Sequence, residues 1–328
     1  MFDARRWIVL AMLAACSCEE HKPTQVTAEA VTNALEGAYG VHPGQRRYYT
    51  KGTCAVGTFV GEPSQYSRSR IFSGQRIPVI ARFSLAGGDP NAPDTDPSSR
   101  GMALELRLPD GTRQHFTMIN TPMFFAKTPR TFLDRNTALT PDPRTGRPNP
   151  NRLAEFVRTH PDILRHMRYL EAHGPPPSYT NATFYGVHTF HFIDRGERST
   201  SVRFRFVPDD GERWLTREEL ATMPHDFLEK ALFERLAKGP ATWQMIVTVG
   251  KPGDTETDPT TLWPREREEY RAGTLTLESA MAQKGGVCEP INYDPLVMTD
   301  GIAPSADPVL LFRSPSYRAS FERRSHGK

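Results

Sequence analysis

The stretch from Gly101 to Ile119, GMALELRLPDGTRQHFTMI, alternates apolar and polar residues on both sides of a Pro-Asp-Gly turn. A period of two puts every second side chain on one face of a strand, so the segment predicts an antiparallel hairpin with one dry face. Strand-like runs recur at 52–60 (GTCAVGTFV), 77–85 (IPVIARFSL), 184–193 (FYGVHTFHFI), 200–207 (TSVRFRFV) and 242–249 (TWQMIVTV). About eight antiparallel strands with local turns predict a closed or nearly closed barrel, because closure removes exposed strand edges. Helical spacing appears at the start of 29–45, before a His42-Pro43-Gly44 turn, and through 129–175. A further helix is predicted over 226–238, with Asp226 as N-cap, Gly239-Pro240 as its stop, and Leu228, Leu232, Phe233 and Leu236 as its apolar face. The expected class is therefore α+β: an eight-stranded antiparallel β-barrel with helical additions, in one domain over 29–328. The 29 Pro and 24 Gly fit long irregular connections, and 18 Phe, 10 Tyr and 4 Trp can fill its core. No internal apolar run approaches the roughly 18 residues of a membrane span. A net charge of +3 over 328 residues gives no ground for a nucleic-acid partner.

The chain opens MFDARRWIVLAMLAACSC. Arg5 and Arg6 precede an apolar stretch that ends Leu13-Ala14-Ala15-Cys16, the pattern of a secretory signal with a lipobox. Residues 1–28 thus read as signal and polar tether, with acylation at Cys16. The protein is expected in the periplasm, lipid-anchored to the membrane; Ser17 after the cysteine favours the outer one. An ordinary signal peptide is the alternative. Cys54 and Cys288 are the obvious internal pair for an oxidising compartment, and the sequence leaves their bonding open. No CxxC, CxxCH or HExxH occurs, nor a P-loop, a dinucleotide fingerprint or a GxSxG elbow.

Seven ordered segments carry a resemblance: RRYYTKGTCAVGTF, IARFSLAGGDPNAPDTDPSSRGMALEL, MINTPMFF, YGVHTFHF, DPTTLWP, GTLTL and RSPSYRASFERR. Together, from about Gly40 to Arg324, the chain resembles the haem catalase superfamily, and in particular its short bacterial branch of catalase-related peroxidases. The resemblance implies a catalase-like barrel, haem b as cofactor, and peroxide as substrate. It further implies either dismutation of hydrogen peroxide or peroxide-dependent oxidation of a small organic donor. The chain lacks the N-terminal arm and flavodoxin-like addition of the longer catalases, which implies a monomer or simple homodimer.

Arg313-Ser314-Pro315-Ser316-Tyr317 is similar to the family's proximal motif, which makes Tyr317 the axial iron ligand. An iron ligand needs a phenolate, whereas a free tyrosine has a pKa of about 10. Ferric charge and a guanidinium both favour deprotonation, and four-residue helical spacing places Arg313 beside Tyr317. Arg46, Arg82 and Arg324 match positions that hold the haem propionates. Arg82 supports this independently, because a cation inside the apolar run VIARFSL is costly without an anionic partner. Ser84, Phe124, Phe125, Phe132 and His188 match positions around the haem; a barrel-core role for the phenylalanines and a structural role for the histidine are the alternatives.

On the distal side the sequence departs from the family. The pattern Arg-x-x-His-Ala-Lys-Gly reads here Arg46-Arg47-Tyr48-Tyr49-Thr50-Lys51-Gly52, so Tyr49 stands at the essential histidine. The Asn-Asn pair becomes Ile119-Asn120, which leaves Asn120 as the second candidate catalytic residue. Histidine moves the peroxide proton to the leaving oxygen; a tyrosine is a poor base near neutrality, and losing general acid–base catalysis costs roughly 10²–10⁴ in rate. His42, seven residues upstream, is a remote substitute. The expectation is a haem-b peroxidase acting on hydrogen or organic peroxides with weak catalase activity. The alternatives are a non-catalytic haem-binding or haem-handling lipoprotein, and an enzyme that rearranges fatty-acid hydroperoxides.

Overall fold

A computed structural model describes residues 25–327. Helix α1 (Ala28–Tyr39) is capped by Thr27, whose hydroxyl accepts from the Ala30 amide at 3.1 Å. Strands β1 (Gly52–Gly61), β2 (Arg76–Leu85), β3 (Arg100–Arg107) and β4 (Arg113–Ile119) follow, then helices α2 (Pro129–Leu139), α3 (Pro150–Thr159) and α4 (Ile163–Ala172). Next come β5 (Phe184–Tyr185), β6 (Phe190–Ile193), β7 (Ser199–Pro208), α5 (Arg217–Leu220), α6 (Phe227–Leu236), β8 (Ala241–Val249), β9 (Glu269–Ala282), β10 (Ile302–Pro304) and α7 (Pro308–Ser325).

The ladders run antiparallel in the order β5-β4-β3-β2-β1-β9-β8, and β7 pairs with both β8 and β5. Eight strands thus close on themselves, as the alternation predicts, while β6 and β10 extend one rim. Inward residues of the wall (Phe59, Phe83, Phe116, Phe184, Phe206 and Trp243) are buried against one another. The interior of the ring is therefore a packed core, and a large ligand has to lie outside the wall.

Two local expectations are corrected, and one strand went unread. The run 184–193 is not one strand: Gly186 packs so close to Phe204 that a Cβ would lie 2.4 Å from its ring, and the chain leaves the ladder there. Strand β9 escaped the periodicity, because only its central GTLTL alternates and the register shifts against both β1 and β8. Helix α6 makes no capping bond through Asp226; its Leu228 amide donates instead to Asp94 Oδ2 at 2.8 Å, from the long loop after β2. On the same helix Phe227 joins the buried face, whereas Phe233 is exposed.

Helices α2–α4 enclose a second, smaller apolar cluster of Phe125, Ala126, Ala138, Phe156 and Ile163. His166 is buried against it, and burial, with a smaller push from the Arg135 charge, lowers its pKa to about 4. Below the ordinary histidine pKa of about 6.5 the unfolded chain takes up a proton that the folded one refuses. Stability is then flat above that pH and falls as pH drops toward 4, by about 3 kcal/mol for this group. Urea midpoints measured from pH 7 to 4 should fall along this slope, and His166→Gln should flatten it. Superimposable curves for the two proteins would contradict the assignment.

Candidate functional site

Outward residues of β2, β3 and β4 form cross-strand rows. Arg82 pairs with Ala103 and Ala103 with Thr117; Ser84 pairs with Gly101 and Gly101 with Ile119. These two rows floor a cavity whose empty space, counting the part open to solvent, is about 1260 Å³. Val31 and Leu35 of α1 line another side, and a stripe of α7 faces it through Phe312, Arg313, Tyr317, Phe321 and Arg324. That stripe follows from helical spacing, which brings residues three, four, seven and eleven apart onto one face.

Helix α7 is anchored at its start by Asp307, whose Oδ1 accepts from the Val309 and Leu310 amides at 2.8 and 3.3 Å. The other carboxylate oxygen accepts from His188 Nδ1 at 2.7 Å, and both side chains are almost wholly buried. One turn further on, the Arg313 guanidinium donates to the Tyr317 phenol oxygen from Nη2 (2.7 Å) and Nε (3.2 Å). Its Nη2 also donates to Thr117 Oγ1 at 2.8 Å, which ties the pair to the barrel wall.

Tyr49 faces this pair from the opposite side. Its backbone has φ +53°, in the left-handed region that L residues other than Asn, Asp and His rarely enter. Two contacts hold it there. Arg82 Nη2 donates to the Tyr49 carbonyl at 2.6 Å, and Gly101 brings backbone so close that a Cβ would lie 3.3 Å from the Tyr49 ring and 2.7 Å from Ser84 Oγ. Burial raises the Tyr49 phenol to a pKa of about 12; the Ser99 hydroxyl pulls weakly the other way, and the neighbouring Tyr317 adds to the rise. Tyr49 is therefore a hydrogen-bonding group near neutrality and not a base.

At the other end of the cavity Arg46, Arg82 and Arg324 converge. Arg46 Nη2 donates to the carbonyls of Cys288, Glu289 and Ile291, and Arg82 Nε to Gln283 Oε1 at 2.6 Å. Burial, then repulsion from Arg82 and Arg324, holds the Arg46 pKa well below the usual arginine range; burial brings Arg82 down to about 10. Arg324 is also lowered by burial, and its Nη1 is buried with no hydrogen-bond partner. Among the described residues none of the three meets a carboxylate at ion-pair distance. Three neighbouring guanidiniums left short of anions form a site for a ligand with one or more carboxylates.

A family model described as catalase matches residues 42–327. The chain belongs to the catalase family. Within it, the chain is 47% identical over 306 residues to a catalase-related peroxidase of Synechococcus elongatus, covering 93% of this chain and 90% of that one. It is 32% identical to a catalase-related peroxidase of Mycolicibacterium paratuberculosis, over 92% of this chain and 95% of the relative. Among solved structures, a fungal catalase and catalase A from Saccharomyces cerevisiae each superpose with a TM-score of 0.80 at 24% identity over 86% of this chain. The chain spans 60% and 62% of their lengths, and at that identity they show the barrel fold alone.

Set against this catalase fold, the predicted residues sort plainly. Tyr49, Arg46, Arg82, Ser84, Phe124, Phe132, Arg313, Tyr317 and Arg324 all line the one cavity. Asn120 does not, which corrects its assignment as catalytic: its Oδ1 accepts from the Arg100 amide at 2.7 Å, and its own amide donates to the Arg100 carbonyl. Its carboxamide oxygen is spent on joining the β3 and β4 ends, and Ile119 takes the cavity position. His188 sits beside Phe124 with Nδ1 on Asp307 and its buried Nε2 without a partner among the described residues; burial lowers its pKa against the opposing pull of that carboxylate. Phe125 belongs to the α2–α4 cluster. His42 bonds the Tyr39 carbonyl at 3.1 Å, on the far side of α1. Thr117 and Asp307 went unread, although alternation from Met118 already turns Thr117 outward. Cys16 and the proposed signal lie outside the described residues.

Cys54 and Cys288 are disulfide-bonded, with Cα atoms 5.4 Å apart and both residues buried. The bond ties β1 to the loop whose carbonyls hold Arg46. Replacing both cysteines with serine is expected to lower stability by about 2–4 kcal/mol. Urea denaturation of the two proteins checks this, and equal midpoints would refute it.

Proposed function

We propose that this protein is a haem-b peroxidase of catalase fold, reducing hydrogen or organic peroxides with a small organic donor. The supporting observation is the pairing, within one cavity, of Tyr317 under two guanidinium N–H donors with an anion-deficient arginine trio at the other end. Tyr317 would hold the iron, and Arg313 complements the anionic oxygen such a ligand needs. Arg46, Arg82 and Arg324 would pair with the propionates, while Val31, Leu35, Phe124 and Phe132 supply an apolar wall for the ring system. Bound haem supplies the two-electron redox chemistry that cleaves the peroxide bond. The chain itself orients the peroxide: the neutral Tyr49 phenol donates a hydrogen bond, and Ile119 leaves the rest of the distal wall greasy. A wall with no base handles two peroxides slowly and favours an organic donor, so catalase turnover should be weak.

The second reading, a haem-holding protein without turnover, draws on Tyr49 alone. Reconstitution with haem followed by absorption spectroscopy, oxygen release and donor oxidation separates the two. Donor oxidation well above free haem supports the peroxidase; a haem spectrum without it supports the holder; a colourless protein sinks both. We further propose an exported, lipid-anchored monomer or simple homodimer. Labelling with a radioactive fatty acid in wild type and Cys16→Ser tests the anchor, and sedimentation of the mature body tests its assembly.

A further inference from the structure

Three tyrosines lead away from the cavity. Tyr49 lies edge-on to Tyr48 with ring centroids 4.9 Å apart, and Tyr48 is 5.9 Å from Tyr39. Tyr39 is the last residue of α1 and half-buried. This helix presents Val31 and Leu35 to the cavity, and Glu36 and Tyr39 to a shallow recess that His42, Asp89, Thr140 and Pro141 complete. The half-buried Arg135 of α2 lies beside the phenols of both Tyr39 and Tyr48, and its Nη1 is buried with no hydrogen-bond partner among the described residues. Its guanidinium sits over the aromatic ring of Phe125 at 4.8 Å.

This arrangement bears on Tyr49, which puts an oxidisable ring and no base on the cavity wall. A phenol gives up an electron readily when its proton has somewhere to go. Tyr48 and Tyr49 are half-buried on the cavity wall, and desolvation raises both phenol pKa values. Tyr39 borders the recess, where an oxidised phenol can release its proton to water.

We propose that Tyr49, Tyr48 and Tyr39 form an electron path from the recess to the cavity, and that the recess is a second donor site, for neutral phenols and aromatic amines too large to enter the cavity. The proposal rests on the reading that peroxide is reduced in the cavity with haem bound. One peroxide ROOH takes two electrons through the path and two protons from water; its O–O bond breaks, and ROH and water form. Each electron leaves Tyr39 inward, and the phenolic proton leaves outward to water in the recess. A donor A–H then passes a hydrogen atom to the Tyr39 oxygen, re-forming its O–H bond and departing as the radical A. Two donors are consumed per peroxide. Arg135 stays a cation throughout. Glu36 is committed to Arg47 and Arg323, which leaves Asp89 as the carboxylate of the recess, so the recess selects by shape, by stacking on Tyr39 and against anionic donors.

The test uses haem-loaded full-length protein, hydrogen peroxide and a nitroso spin trap, with the adduct mapped by peptide mass spectrometry. Wild type should carry the adduct on Tyr39, and Tyr39→Phe should move it to Tyr48. In the same variant, oxidation of a phenol attached to a soluble polymer should fall about tenfold or more, while oxidation of the free phenol stays within about twofold. Tyr48→Phe should also lose the polymer-linked donor and the label at Tyr39. Protein that consumes peroxide with Tyr39 unlabelled overturns the electron path and leaves the peroxidase reading intact. Haem-loaded protein that leaves peroxide untouched overturns both.

Discussion

Histidine in place of Tyr49 is expected to raise the rate of peroxide reduction about a hundredfold or more, the usual worth of a placed general acid–base. The position is prepared for it. The backbone there has φ +53°, a region in which histidine is several-fold commoner than most residues, so the substitution relieves strain that tyrosine carries. The Arg82 bond to the carbonyl of residue 49 involves no side chain of that residue and survives the change. The rise should appear in oxygen release as well as donor oxidation, because a base serves both peroxides of the dismutation. Stopped-flow spectra of the reconstituted proteins give the rate directly. An unchanged rate in a variant that binds haem normally would place residue 49 outside the reaction, whatever its position in the cavity.

The second large effect is on cofactor retention. Tyr317→Phe removes the one oxygen that two Arg313 donors address and leaves that guanidinium facing an apolar ring. Bound haem should be lost during gel filtration, with a fall in affinity beyond the roughly 10–100-fold typical of losing a supporting partner. Arg313→Leu should fall within that supporting range, since Tyr317 remains. Haem transfer to an excess of apomyoglobin measures both, and it does so without any reference to turnover. If Tyr317→Phe keeps its haem with an unaltered spectrum, another residue binds the iron and the functional reading fails at its root.

How much of this was legible beforehand differs from element to element. The hairpin of β3 and β4 came straight from alternation, since one face packs into the ring and the other meets the cavity. Its odd-numbered positions, Gly101, Ala103, Thr117 and Ile119, were thereby already marked as outward. The Arg313–Tyr317 pair was legible because four residues make about one helical turn. Strand β9 was not: its amphipathic signal is diluted by charged ends and by register shifts that only its two neighbours impose. Asp226 stands at the N-cap of α6 as expected, but the capping bond itself was not legible. A capping carboxylate can come from any part of the chain, and Asp94 lies 134 residues from the amide it serves.

Asn120 shows the limit most clearly. It was singled out because it matches the second asparagine of the family pattern, and adjacent strand residues point to opposite sides. Which side is the cavity depends on where α7 packs, a contact between segments nearly two hundred residues apart. The amino-acid order alone indicated the barrel, the Arg313–Tyr317 spacing, and the presence of a cation in an apolar strand, because periodicity and burial cost act within a few residues. The folded chain alone decided that Cys54 bonds to Cys288, that Asp94 serves the start of α6, and that Tyr39, Tyr48 and Tyr49 stand in line, because each depends on where distant segments pack.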